Sequence, residues 1–313
     1  MHANAIVFKN PQQLALEALT LPKPGNEDIQ IEVEFSGIST GTERLLWDGS
    51  MPPFPGMGYP LVPGYESVGV VTQAGPSSHV REGETVFVPG ARCFGEVRGL
   101  FGGAASQLVS KASRVIAVPE WLNDRAILFA LAATAYHARV GASTDGGDLI
   151  IGHGVLGRLL ARLSVLAGGE PPTVWEKNPA RVDGAVGYQV ISPDDDPRRN
   201  YRTIYDVSGD SGILDTLIQR LAPGGEVVLA GFYEASLSFN FPPAFMREAR
   251  LRVAAEWKEP DIIATKALVE SGKLSLDGLI THRWSAASAA DAYPTAFNDP
   301  SCLKMVLDWS ASS

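Results

Sequence analysis

The order of apolar runs along the 313-residue chain predicts a two-part α/β protein, a β-rich barrel followed by a doubly wound parallel sheet covered by helices. Three observations predict it. Up to about residue 120, short alternating or β-branched runs are separated by Gly and Pro. Beyond Trp121, strands alternate with helical stretches, the rhythm of a parallel sheet. One strand-to-helix junction carries glycines at Gly152, Gly154 and Gly157. A prior of one domain per roughly 150 residues also gives two units.

In the first part the expected strands are Ala5–Phe8, Ile29–Phe35, Ser67–Thr72, Thr85–Pro89, Ser106–Val109 and Val115–Val118. Between Phe35 and Tyr65 the segment SGISTGTERLLWDGSMPPFPGMGYPLVPGY reads as a long loop, because prolines deny a sheet its backbone donors and glycines permit tight turns. The apolar run Ile127–Tyr136 is about half of the roughly 20 residues needed to cross a bilayer and reads as a buried helix. In the second part the expected strands are Asp148–Ile151, Thr173–Glu176, Gln189–Ile191, Thr203–Val207, Glu226–Ala230 and Leu251–Ala255. Helix Leu156–Ala167 sets Leu156, Leu159, Leu160 and Leu163 on one face and stops at Gly168-Gly169; Ile213–Leu221 stops at Pro223-Gly224. The tail reads as helices Pro260–Ser271 and Ala287–Phe297 and a strand Leu303–Trp309.

With 45% hydrophobic and 19% charged residues, the composition is that of a compact protein rather than a disordered one. Lys plus Arg is 26 against Asp plus Glu 35, a net charge of −9 that repels phosphate backbones, so nucleic acid is not expected as a partner. The start MHANAIVFKNPQQ has neither a basic segment nor an apolar stretch of secretory length, so no signal peptide is expected. Cys93 and Cys302 are the chain's cysteines; they form no Cys-x-x-Cys pair and imply a reduced, cytoplasmic setting.

The junction DLIIGHGVLGRLLARLSVLAGGEPPTVWEK places Gly152-x-Gly154-x-x-Gly157 after an apolar strand and before an amphipathic helix, the fingerprint of a Rossmann dinucleotide site. The first glycine makes the turn, the second admits a pyrophosphate, and the third lets helix and strand pack, with the anion on the helix N-terminus at Val155 and Leu156. Glu176 stands 19 positions beyond Gly157. A carboxylate there accepts hydrogen bonds from the adenosine ribose and repels a 2′-phosphate, so NAD is expected; Lys177 and Arg181, just beyond the acid, are bases that could tolerate a phosphate. Ser208, Gly209 and Gly231 fall at strand C-termini, where a nicotinamide lies in an open parallel sheet. His153, inside the glycine turn, is a candidate for contact with pyrophosphate or ribose.

The β-rich first half, the Rossmann second half and the segment YPLVPGYESVGVV together resemble the medium-chain dehydrogenase/reductase superfamily over nearly the whole chain. The resemblance implies a GroES-like catalytic domain of residues 1–120 and 265–313, with a cofactor domain of 121–264 between, and adds Thr134 to the expected cofactor residues. Zinc-dependent members bind their metal through a Gly-x-Cys-x-Thr-Asp segment, a Pro-Gly-His-Glu segment and a third Cys or Asp. Here those places hold Thr40-Gly41-Thr42-Glu43, Pro63-Gly64-Tyr65-Glu66 and Ala130, and the four-cysteine lobe is reduced to Cys93, so no metal is expected. The stretch SGISTGTERLLWDGSMPPFPGMGYPLVPGYESVGVV resembles a zinc-less group within the superfamily. That likeness implies NAD-linked oxidation of a hydroxyethyl substituent on a chlorin or bacteriochlorin ring, in the cytoplasm or at the periphery of a photosynthetic membrane.

Without zinc, the protein must supply the proton acceptor itself. Thr42 matches the superfamily's proton-relaying hydroxyl and Tyr65 stands where the metal-bound imidazole would be. A Thr42–Tyr65 proton path is therefore expected, with Tyr65 eased toward phenolate by the NAD⁺ charge and with Glu43 and Glu66 behind it. Tyr65 could equally be an aromatic plug in the emptied metal site, and Glu66 could pair with an arginine. His137, on the apolar helix, and His153 are lesser acid–base candidates. Trp47, Met51, Phe54, Met57 and Tyr59 would suit a flat macrocycle, or they seal their loop against the barrel. The rival readings are an NADPH-dependent quinone or enoyl reductase and a non-catalytic cofactor or pigment carrier. The edge strand Leu251–Ala255 offers a route to a homodimer.

Overall fold

The computed structural model describes residues 1–53, 55–99, 101–142 and 147–310. They form two compact units, 1–130 with 279–313 and 131–278. The breaks fall later than the expected 120/121 and 264/265, for two physical reasons. The 3₁₀ run Glu120–Leu128 lies against three barrel strands and buries Leu122, Ala126, Ile127 and Leu128. Farther along, Arg162 donates to the carbonyls of Ser275 and Asp277, which keeps that segment with the parallel sheet.

The first unit begins with an antiparallel hairpin, β1 (His2–Asn10) and β2 (Gln13–Thr20). The second arm escaped sequence reading because its residues are half-exposed, with no apolar run to mark it. The long strand β3 (Asp28–Ile38) is followed by helix α1 (Thr42–Asp48), then β4 (Ser67–Ala74), β5 (Thr85–Val88), β6 (Gln107–Lys111) and β7 (Ile116–Ala117). Helix α1 lies inside the segment expected to be loop. It buries Glu43 and Leu46, three residues apart on one face, and ends at Gly49 with φ +76. Helix α2 (Phe129–Arg139) agrees with the apolar run read as a helix.

The second unit carries β8 (Leu149–Ile151), α3 (Val155–Ala167), β9 (Thr173–Trp175), β10 (Gln189–Ile191), β11 (Tyr201–Asp206), α4 (Leu214–Arg220), β12 (Leu221–Leu229), α5 (Phe241–Met246), β13 (Arg250–Val253) and α6 (Glu259–Glu270). Its six strands are all parallel in the order β10-β9-β8-β11-β12-β13. The order reverses between β8 and β11, so a crevice opens beyond their carboxyl ends, where doubly wound sheets bind ligands. Leu149, Ile151, Ile204, Leu217 and Leu229 fill the core on one side of the sheet.

The chain then returns to the first unit as β14 (His282–Ser285), α7 (Ala289–Asn298) and β15 (Met305–Asp308). The barrel sheet runs β14-β15-β3-β4-β5-β7, with β6 also on β3. Strand β15 pairs antiparallel with β3, Met305 opposite Ile38 and Asp308 opposite Phe35. Two polar contacts lock that register. Trp309 Nε1 donates to Ser36 Oγ at 2.9 Å, and Lys304 Nζ donates to Glu66 Oε2 at 2.6 Å and to the Ile38 carbonyl at 3.3 Å. Lys304 and Glu66 are 1% and 0% exposed. No helix among the described residues is long and apolar enough to cross a membrane.

Removing one partner of a buried pair strands the other charge. Lys304→Met should lower the free energy of unfolding by about 3–5 kcal/mol. Lys304→Met combined with Glu66→Leu should recover most of that loss, as read from urea unfolding of the three proteins.

Candidate functional site

Each unit carries one polar constellation. In the parallel-sheet unit, Gly152 leaves β8 with φ +102, and a Cβ on Gly157 would stand 1.8 Å from the Gly152 carbonyl oxygen, so only glycine lets α3 pack on the turn. Gly154 caps α3 and a Cβ there would meet nothing within 4 Å, so this side of the turn is open. The first-turn N–H groups of α3, from Val155 and Leu156, have no partner within the helix and are suited to an anion.

Glu176 follows β9 with both oxygens oriented by backbone: Oε2 accepts from His153 N at 3.0 Å and Oε1 from Asn178 N at 2.7 Å. Lys177 is exposed, 3.9 Å from Asp210, and Arg181 sits in the 3₁₀ turn Pro179–Arg181. Beyond β11, Ser208 N and Oγ both donate to Asp206 Oδ1, at 2.9 and 2.7 Å, and Gly231 N donates to the Asp206 carbonyl at 3.0 Å. Gly209, with φ +73, packs against Gly231. Tyr233 donates to Asp206 Oδ2 at 2.9 Å, and burial raises the Asp206 carboxyl above its usual range. Sequence reading missed Asp206 and Tyr233, which meet only because β11 and β12 pair. Thr134 lies on α2, partly exposed.

Two histidine expectations are corrected. His153 is fully buried, with Nδ1 2.6 Å from the Arg181 carbonyl and Nε2 2.8 Å from the Tyr188 hydroxyl, so no ring nitrogen is left for cofactor or substrate. Burial pushes its ionisation down to about 4. His137 Nδ1 lies 2.8 Å from Asp261, a residue that also caps α6, which makes it a strut between helices rather than an acid or base.

In the barrel unit, Tyr65 Oη lies 2.5 Å from Ser39 Oγ, with the Thr42 hydroxyl alongside. Its ring meets Phe101 edge-on at 5.0 Å. Burial, and then the nearby Glu66 and Glu43 carboxylates, push the phenol well above its usual range. Burial thus favours the neutral hydroxyl of Tyr65, and the expected phenolate rests on the NAD⁺ charge. Ser39 was missed because a lone serine in a glycine-rich turn carries no signal. Glu43, 0% exposed, accepts from Ser39 N through Oε1 at 3.1 Å, while Oε2 has no hydrogen-bond partner. Burial, and to a lesser degree the Glu66 charge, raise its carboxyl to about 8, against the opposing pull of Ser39 N and Lys304. Glu66 is paired with a lysine, Lys304, rather than the arginine expected.

At the three superfamily metal positions stand the hydroxyl of Thr40, the phenol of Tyr65 and the methyl of Ala130, and an ammonium lies 2.6 Å from Glu66. Among the described residues no group of three or more His, Cys, Asp or Glu could hold a metal. This donor set does not fit zinc.

Trp47 stacks on Tyr293 at 6.4 Å and meets Phe8 edge-on at 5.5 Å. Met51, Met57 and Tyr59 pack on the barrel core, and the Tyr59 hydroxyl donates to the Leu46 carbonyl. These four side chains seal their loop against the barrel and keep partial exposure. Phe54 lies outside the described residues.

Residues 25–120 match the alcohol dehydrogenase GroES-like domain. The chain is 58% identical over 310 residues to the 2-desacetyl-2-hydroxyethyl bacteriochlorophyllide A dehydrogenase of Rhodobacter capsulatus, covering 99% of both proteins. It is 55% identical to the enzyme of that name from Cereibacter sphaeroides, over the full length of both. Among solved structures, an alcohol dehydrogenase from Escherichia coli CFT073 complexed with NADH superposes with TM-score 0.83 at 20% identity, over 98% of this chain and 99% of that one. A dehydrogenase from Sinorhizobium meliloti 1021 bound to NADP gives 0.81 at 18% identity, over 99% and 100%.

Glu43 has a testable pH signature. The unfolded chain ionises this carboxyl near 4.5, whereas the folded chain keeps its proton to about 8, so across that window the folded state binds more protons and stability falls as pH rises. Glu43→Gln removes this dependence. Urea midpoints measured across this window should show the parent losing stability relative to Glu43→Gln toward the alkaline end.

Proposed function

Since the chain belongs to the bacteriochlorophyllide A dehydrogenase family, a branch of the medium-chain dehydrogenase/reductase superfamily, we propose that it oxidises the hydroxyethyl substituent of a bacteriochlorophyllide or chlorophyllide to the acetyl group, with NAD and without catalytic zinc. The carrying observation is 58% identity along essentially the whole chain. The glycine turn from Gly152 to Gly157, with Glu176, Ser208, Gly209, Gly231 and Thr134, would hold the dinucleotide. When bound, NAD supplies the hydride acceptor. Glu176 supports NAD over NADP, because its anchored carboxylate would face a 2′-phosphate with like charge.

The barrel residues handle the proton. The alcohol's proton passes to Tyr65 Oη while the Tyr65 proton moves to Ser39 Oγ, a step for which the 2.5 Å separation of the two oxygens is suited. Thr42 orients the Tyr65 hydroxyl. The hydroxyl pair then releases one proton, which Glu43 accepts when it is ionised, above about 8, and which passes to bulk water when Glu43 already carries its own. The neutral phenol and the buried Lys304 charge take the place of a Lewis acid in stabilising the developing alkoxide.

The same reading extends to assembly. Among the described residues strand β13 pairs with β12 alone, so its outer edge offers backbone groups beside exposed Leu251 and Val253. A second copy pairing edge to edge about a two-fold axis would satisfy them and cover Phe241, Phe245 and Met246, each more than 60% exposed.

Incubation with NAD and a hydroxyethyl chlorin should convert the pigment spectrum with stoichiometric NADH. Activity on quinones with NADPH, and none on the chlorin, would replace this reading with a reductase. Tyr65→Phe should lower kcat by about 10²-fold or more while KM for NAD holds; unchanged turnover would remove Tyr65 from the proton path. Light scattering should report a dimer for the parent and a monomer for Val253→Arg.

A further inference from the structure

His153 is a titratable side chain that neither the cofactor chemistry nor the proton path uses, yet it is the most heavily bonded residue of the glycine turn. It sits between Gly152 and Gly154 with its ring turned inward and fully buried. A carbonyl only accepts, so the nitrogen facing the Arg181 carbonyl at 2.6 Å, Nδ1, carries the proton. Nε2 then holds the lone pair and accepts from the Tyr188 hydroxyl at 2.8 Å. Both partners belong to the segment that follows Glu176.

The backbone of the same residue extends the junction. His153 N donates to Glu176 Oε2, and its carbonyl accepts from Arg158 Nε at 3.0 Å, while Arg158 Nη2 donates to the Arg181 carbonyl at 3.0 Å. Gly184, with φ +86, lies so close to this guanidinium that a Cβ would stand 2.3 Å from Arg158 Nη1. The segment from Asn178 to Tyr188 is thus tied to the turn at the Arg181 carbonyl and at the Tyr188 hydroxyl.

We propose that His153 is a positioning residue for the adenosine half of the dinucleotide: it clamps the 178–188 segment onto the glycine turn and thereby holds Glu176 toward the ribose. The inference rests on the dinucleotide reading of this turn. Burial holds the imidazole neutral down to about pH 4, so the clamp keeps one tautomer throughout the neutral range.

Calorimetric titration with ADP-ribose and with nicotinamide mononucleotide separates the two halves of the cofactor. His153→Leu, which removes both ring bonds and keeps bulk, should raise the Kd for ADP-ribose by about tenfold or more, the order seen when an outer support of a binding group is lost. Its affinity for nicotinamide mononucleotide should stay within about twofold of the parent. His153→Asn, which retains a donor toward the Arg181 carbonyl, should restore most of the ADP-ribose affinity, and Tyr188→Phe should fall between. An unchanged ADP-ribose Kd in folded His153→Leu overturns the proposal, as does an equal loss for both ligands. Should His153→Leu fail to fold, a parent-like ADP-ribose Kd for Tyr188→Phe overturns it. Failure of the parent to bind ADP-ribose would instead overturn the dinucleotide reading.

Discussion

The barrel unit depends on one ion pair, Lys304 with Glu66, sealed from water at 2.6 Å. Two charges taken out of water gain little net stability from each other, but they tolerate no third arrangement, because either one alone would be stranded. That intolerance sets the register of the unit. Lys304 stands one residue before β15 and Glu66 one residue before β4, so the pair and the Ile38 carbonyl together fix where the tail meets β3. The neighbours inherit the consequence. Glu43, desolvated and then faced by the Glu66 carboxylate, stays protonated toward neutrality; Tyr65, desolvated and next in chain to Glu66, stays a phenol. A site of hydroxyls and a protonated carboxyl is thus maintained where a metal-binding relative would place thiolates and imidazole.

The dinucleotide unit works by a different constraint, the close approach of backbone to backbone. Gly157 lets α3 touch the turn, Gly152 supplies the left-handed φ, and the open side of Gly154 leaves room for a ligand. The turn alone would leave the acid at the end of β9 free to swing. Asn178 N and His153 N prevent that by binding one carboxylate oxygen each. Arg158 and the His153 ring then support the segment beyond, so the Glu176 carboxylate is held at two levels, by amides on itself and by side chains under its own loop.

What sequence could reveal followed the range of the interaction. The six parallel strands, the helix after the glycine turn and the acid beyond β9 are local patterns, and they are all present in the structure. The long β3 and the buried run at 127–136 are equally legible, because each is apolar at its own period. What escaped reading is non-local or short. Lys304 and Glu66 are 238 residues apart, and nothing near either announces the other. Helix α1 has seven residues in a Gly- and Pro-rich segment, and its burial of Glu43 runs against the expectation for a charged side chain. His153 looked available to a ligand because its place in the glycine turn is exposed in principle. Only the fold shows that its ring points inward, toward residues 28 and 35 positions away. The aromatic loop left both of its readings open in sequence; Trp47 on Tyr293 shows its packing contacts, and the partial exposure of the same side chains keeps the other reading open.

The discontinuity of the barrel has a consequence for biosynthesis. The parallel-sheet unit, residues 131–278, is contiguous and can complete itself as soon as it clears the ribosome. The barrel begins earlier yet must wait for β15, and until Lys304 arrives Glu66 has no counter-charge and β3 lacks one neighbour. The usual order, in which the first-made domain matures first, is therefore inverted in this chain. The nascent barrel, with the Phe35–Ile38 stretch of β3 still lacking its partner, is the stage at which a chaperone would have most to protect.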